Sequence, residues 1–149
     1  MQAEALQSNV VSESVRAFLS FTTEDKPLVD ALRAQIGQQH PQVELLDHAV
    51  TDSYEEDWKR ECARKIGRSA MLICLVGAKT HRSEAVAWEI DHGLSLGKRI
   101  VAVNLTATGV RVPEVLVRNA IKPRQGIAGM VLTPASAPVL EREAHGHSR

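Results

Sequence analysis

Ala70-Met-Leu-Ile-Cys-Leu-Val76 is an unbroken apolar run of strand length near the middle of the chain. A strand with one wet face alternates apolar and polar residues, whereas one covered on both faces does not. The run therefore predicts a central strand of a parallel sheet with helices on each side. The flanks agree. Upstream, Asp52 and Ser53 open a helical segment, Ser53 with Glu56 fits a capping box, and Tyr54, Trp58, Cys62 and Ile66 form a stripe four residues apart that ends at Gly67. Downstream, the polar loop Gly77–Ser83 leads into a helix from about Glu84 to Leu96, stopped by Gly97, and then a strand over Arg99–Leu105.

The ends of the chain extend the pattern. Val15–Phe21 reads as a strand. Thr22–Asp25 supplies helix N-cap chemistry, Pro27 suits a first turn, and Leu28, Val29, Leu32 and Ile36 keep helical spacing up to Gly37. Val43–Ala49 reads as the next strand. Val112–Asn119 predicts a short helix and Ala120–Lys122 a brief edge strand. Strands alternating with helices predict a single α/β domain, a flavodoxin-like three-layer fold with five parallel strands in the order 2-1-3-4-5. The domain is expected over residues 15–132, with a polar extension at 1–14 and a tail at 133–149.

Composition narrows the function. Lysine plus arginine equals aspartate plus glutamate, 18 each, so no general attraction to nucleic acid or anionic membrane is expected. The two cysteines, Cys62 and Cys74, sit in apolar patterns and form no C-x-x-C, which fits a reducing, cytoplasmic setting. Residues 1–14 lack the apolar core of a signal peptide, and no apolar run approaches the ~20 residues that span a bilayer.

Glu89 is the sharpest feature. On a wheel of about 3.6 residues per turn, Val86, Ile90, Gly93 and Leu94 point inward, and Glu89 falls within that arc. A carboxylate there is costly without partners, and burial would raise its pKa, a common mark of a functional acid. The bland alternative is a Glu at the arc's edge that reaches water or pairs with Lys79 or Arg82. In a 2-1-3-4-5 sheet a ligand is expected between the first and third strands, at their C-terminal ends. Ser20, Phe21 and Thr22 from the first strand, with Lys79, Thr80 and Ser83 after the third, are the residues expected to bind substrate there. Trp88 is expected to face away from the core and offer a contact surface, and Trp58 to lie in the core.

Several strings taken together resemble a known family. Val15-Arg-Ala-Phe-Leu-Ser-Phe-Thr-Thr-Glu-Asp25, Ser69-Ala-Met-Leu-Ile-Cys-Leu-Val-Gly-Ala-Lys-Thr80, Val86-Ala-Trp-Glu-Ile90 and Gly97-Lys-Arg-Ile-Val-Ala-Val103 resemble TIR-like domains, and among them the prokaryotic proteins of the Thoeris antiphage system. The resemblance spans about residues 15–105. It implies that Glu89 is the catalytic residue of NAD cleavage, with NAD as substrate rather than cofactor. It also implies a cyclic ADP-ribose isomer as product. Self-association or contact with other TIR domains is implied too, with Val50–Glu56 completing a neighbour's site.

The implied chemistry suits one carboxylate. Breaking the bond from ribose to nicotinamide releases a neutral leaving group and leaves an oxocarbenium-like sugar, so no general acid is required and a single anion can stabilise the cation. Two other classes remain open: a non-enzymatic adaptor using the same fold, and a nucleoside deoxyribosyltransferase, for which further acids at the crevice are expected and Asp47 is the obvious one. Gly77-Ala-Lys79-Thr80 lacks the earlier glycine of a P-loop. Asp47 and His48 read as a solvated strand end, and His145 and His147 have no metal-ligand spacing.

Overall fold

The computed structural model describes residues 15–47, 55–107 and 110–127. Five parallel strands, β1 (Val15–Ser20), β2 (Val43–Leu46), β3 (Met71–Val76), β4 (Arg99–Asn104) and β5 (Arg124–Gln125), lie in the order β2-β1-β3-β4-β5. Four helices connect them: α1 (Lys26–Gln39), α2 (Glu55–Gly67), α3 (Glu84–Ser95) and α4 (Glu114–Arg118). Short 3-10 turns at Thr23–Asp25 and Thr80–Arg82 precede α1 and α3. All six residues of β3 are buried, as an apolar strand between two helical layers must be.

The period of the strands divides the core in two. Ala17, Leu19, Met71, Ile73, Leu75 and Val103 pack with Val29 and Ile36 of α1. Phe18, Leu72, Cys74, Val76 and Ala102 pack with Cys62 and Ile66 of α2, Val86 and Ile90 of α3, and Val115 and Leu116 of α4. Gly93 lets α3 approach this second face: a Cβ there would stand 3.1 Å from Leu72 and 3.3 Å from Ile100.

Local signals explain most boundaries and several departures. Ser83 caps α3, its hydroxyl accepting from the Val86 amide at 3.0 Å. Gly97 closes α3 with φ +74, and the Lys98 amide donates to the Gly93 carbonyl. α1 runs through Gly37 to Gln39, because nothing at Gly37 forces a turn. No side chain caps the start of α1; the Thr22 hydroxyl donates to the Asp25 carboxylate instead, at 3.0 Å. Gly67 is the last residue of α2 and lacks the left-handed backbone of a glycine cap. The edge strand is Arg124–Gln125 rather than Ala120–Lys122. Residues 120–121 are consumed in ending α4: Ala120 turns left-handed at φ 58, and the Ile121 amide returns to the Leu116 carbonyl. Ser53, Tyr54, His48 and the tail histidines fall outside the described residues.

Candidate functional site

β1 ends at Ser20, whose side chain belongs to the α2–α3 face by the same alternation that buries Phe18. α3 starts at the C-terminal edge of the sheet and brings Glu89 down onto that face, leaving it 5% exposed. α2 crosses beside α3 and contributes Cys62, fully buried. The three meet. The Ser20 hydroxyl donates to Glu89 Oε1 at 2.5 Å, and the Cys62 thiol donates to Glu89 Oε2 at 3.3 Å. Neither Lys79 nor Arg82 pairs with the carboxylate. Lys79 lies 3.9 Å from Glu24 in an exposed contact.

Burial raises the Glu89 pKa to about 7, the hydrogen bonds from Ser20 and Cys62 pull it down, and the charge of Asp47 pushes it up. Asp47 itself pairs with Arg33 of α1, and its carbonyl accepts from Lys65 of α2 at 2.8 Å. Burial and the neighbouring carboxylate push both Cys62 and Cys74 well above the ordinary thiol range. Both stay protonated, so Cys62 is a donor here and not a nucleophile.

The other expected substrate residues are engaged elsewhere. Phe21 packs against the α1-side core, across the sheet from Glu89. Thr22 holds Asp25. Thr80 is buried, its hydroxyl accepting from the Gly77 amide at 2.7 Å and facing the Leu75 carbonyl, which ties the loop after β3 to the strand. Ser83 caps α3. The structure thus brings Ser20 to Glu89 and directs the side chains of Phe21, Thr22, Thr80 and Ser83 to the fold. Between β1 and β3 on the α1 side the mouth is filled: a Cβ on Gly77 would run into the Asp25 carboxyl, so only glycine permits this approach.

Trp88 departs from expectation. It is half-buried against the α2–α3 core, edge-on to Trp58 (5.5 Å between centroids) and stacked on His92 (5.0 Å), because α2 lies along the flank that a lone α3 would expose. Trp58 is half-buried with it. The segment Val50–Glu56, expected to complete a neighbour's site, lies outside the described residues up to Tyr54.

Cysteine at position 62 was legible only as part of an apolar stripe. Nothing in its spacing points to residue 89, 27 positions away. A cavity of about 380 Å³ opens on the other side of the sheet, between α1 and the ends of β4 and β5, lined by Leu32, Gln35, Asn104 and Gln125 among others. It holds no buried acid. Among the described residues no helix is long and apolar enough to cross a membrane.

Comparison with known proteins agrees with the fold. No curated protein sequence gives a match. Among solved structures, the TIR domain of the Toll-related receptor TRR-2 from Hydra magnipapillata is similar at 14% identity over 87% of this chain and 94% of that one, with a TM-score of 0.57. The 2-desoxiribosyltransferase from Leishmania mexicana is similar at 8% identity over 89% of this chain and 99% of that one, TM-score 0.50. At these identities the likeness shows the fold alone. A fungal multi-domain GH3 beta-N-acetylglucosaminidase with a GCN5-related glucosamine N-acetyltransferase region matches at 14% identity over 62% of this chain, TM-score 0.45, and this chain spans 10% of its length. Residues 18–109, more than half of the chain and including Ser20, Cys62 and Glu89, match the family model of the TIR-like domain of the Thoeris protein ThsB, and the chain belongs to that family.

Proposed function

We propose that this protein cleaves NAD at the nicotinamide N-glycosidic bond and makes a cyclic ADP-ribose-type signal in antiphage defence. The observation that carries this reading is Glu89: a carboxylate 5% exposed, inside the matched family region, with each oxygen held by a donor. Burying such a group costs free energy, and a carboxyl with its pKa raised by burial is a common mark of a functional acid.

In the reaction, the bond from the ribose anomeric carbon to the ring nitrogen breaks and its electron pair leaves with neutral nicotinamide. The sugar becomes oxocarbenium-like, and ionised Glu89 stabilises that charge. Attack by water, which then loses a proton, gives ADP-ribose. Attack by a hydroxyl or ring nitrogen within the same molecule, which then loses a proton, gives a cyclic ADP-ribose isomer instead. Lys79, exposed and only loosely paired, supplies positive charge for the diphosphate. Self-association, or contact with other TIR domains, is the partner class that goes with this reading.

The test is incubation of the purified chain with NAD, with products resolved by mass, beside Glu89→Gln. The amide keeps the shape and removes the charge, so turnover should fall by about 100-fold or more. Undiminished turnover in the variant removes Glu89 from the mechanism. Cleavage of a deoxynucleoside and not NAD would move the assignment to a deoxyribosyltransferase, and neither reaction at any protein concentration would leave an assembly role.

A further inference from the structure

Glu89 is gripped from two different elements. Ser20 stands at the end of β1 and meets Oε1, while Cys62 stands mid-way along α2 and meets Oε2. A glutamate has three rotatable side-chain bonds, and a freely rotating one would lose much of its electrostatic value to reorganisation. We propose that Cys62 is a positioning residue whose thiol, opposite the Ser20 hydroxyl, fixes the plane and depth of the Glu89 carboxylate. For the reaction served, this inference rests on the NAD-cleaving reading; the grip itself does not.

The choice of a thiol has a consequence. Cys62 is fully buried and its neighbour is an acid, so it remains a thiol and presents S–H at all ordinary pH. S–H is a weaker donor than O–H or N–H. It also packs as a small apolar group, so it fits between α2, α3 and the sheet without demanding a second partner. A weak donor orients the carboxylate while stabilising its anion less than a hydroxyl would. Burial is what raises Glu89 to about 7, and the Ser20 and Cys62 hydrogen bonds only partly offset it. The groups facing it are Ser20 from β1, Cys62 from α2, Cys74 from β3 and Asp47 after β2, the last paired with Arg33 but still raising the Glu89 pKa by its charge. Among the described residues, Cys62 is the α2 donor to Glu89, and its strength can be graded by a single atom.

The experiment is a series at position 62: Cys62→Ala removes the donor, and Cys62→Ser strengthens it at nearly constant size. The Glu89 side-chain carboxyl is followed by carbon NMR against pH, its resonance identified by loss in Glu89→Gln. NAD cleavage is followed against pH in parallel. The midpoint should rise by roughly half a unit in Cys62→Ala and fall by a similar amount in Cys62→Ser. Below the midpoint, the alanine variant should then cleave NAD about threefold more slowly and the serine variant about threefold faster, with KM little changed. A residue that merely fills space would not move the midpoint in opposite directions. Coincident midpoints in all three proteins, or shifts of the same sign, overturn the proposal. Opposed shifts in proteins that do not cleave NAD at all uphold the grip and overturn the NAD reading.

Discussion

The two faces of the sheet are built from alternate residues of the same strands, yet they differ in kind. Under α1 the apolar core is Ala17, Leu19, Val29, Ile36, Met71, Ile73, Leu75, Val103 and Ile127, and the buried acid on that side, Asp25, sits at the start of the helix with the Thr22 hydroxyl donating to it. Under α2 and α3 the same depth of burial includes Ser20, Cys62 and Glu89. The cavity opens toward the first face and Glu89 lies in the second. Shape and chemistry thus fall on opposite sides of one sheet. A cavity records where atoms are absent, whereas a desolvated carboxylate records a cost that packing alone would not accept. The contrast is what supports the proposed role of the α2–α3 side, where Glu89 is held by donors from two elements.

The comparison holds only if both faces carry the fold equally. Leu72 and Ile73 are neighbours on β3, both fully buried, and point to opposite faces. Leu72→Ala and Ile73→Ala should each lower unfolding free energy by about 2–5 kcal/mol, measured by chemical denaturation. A large loss at Ile73 with almost none at Leu72 would mean that the α2–α3 face is loosely packed and that the buried state of Glu89 is not held by its surroundings.

What was legible follows from the range over which each signal acts. The β3 run and the helix that follows it are local patterns, and the sheet order and the inward position of Glu89 could be read from them. The ending of α4 was not, because Ala120 adopts a left-handed backbone that its own side chain disfavours, with the Ile121 amide closing back on the Leu116 carbonyl. The partners of Glu89 divide the same way. Ser20 stands at a strand end, where topology predicts a mouth. Cys62 comes from a separate helix, and no periodicity links it to residue 89. Phe21 and Thr22 adjoin Ser20 in sequence, but alternation and the turn to α1 carry them elsewhere. The closure of the α1-side mouth by Asp25 against Gly77 is also tertiary and left no mark in the local pattern.

The acid should also make the two faces differ in their response to pH. Glu89 has its pKa raised from 4.5 to about 7 by burial, so between these values the native chain holds a proton that the unfolded chain has released. Stability must therefore fall as pH rises through that window and level off above it. The fall attributable to Glu89 is on the order of 3 kcal/mol. Denaturation curves from pH 4 to 8 should lose this slope in Glu89→Gln and keep it in Ile73→Ala, which disturbs only the α1 face. A slope that survives in Glu89→Gln would assign the effect to other groups and weaken the contrast.

The smallest effect is expected on the same face as Glu89, at the other end of β1. Arg16 shares the alternation of Phe18 and Ser20, and it stands opposite Glu44 of β2 in the parallel register, 3.1 Å away. Both side chains are about half exposed, at 43% and 52%. Water already solvates these charges, so their attraction is weak and screened by salt. Arg16→Ala should cost about 0.2–1 kcal/mol at low salt, and the loss should shrink as salt is added. The pH slope from Glu89 should survive the same salt, because a carboxylate 5% exposed is beyond the reach of mobile ions. Four residues along β1, from Arg16 to Ser20, therefore separate a charge that the solvent controls from the strand end where Ser20 meets one that the protein controls. If added salt erased both effects together, Glu89 would be solvated in solution, and the burial on which its functional reading depends would be lost.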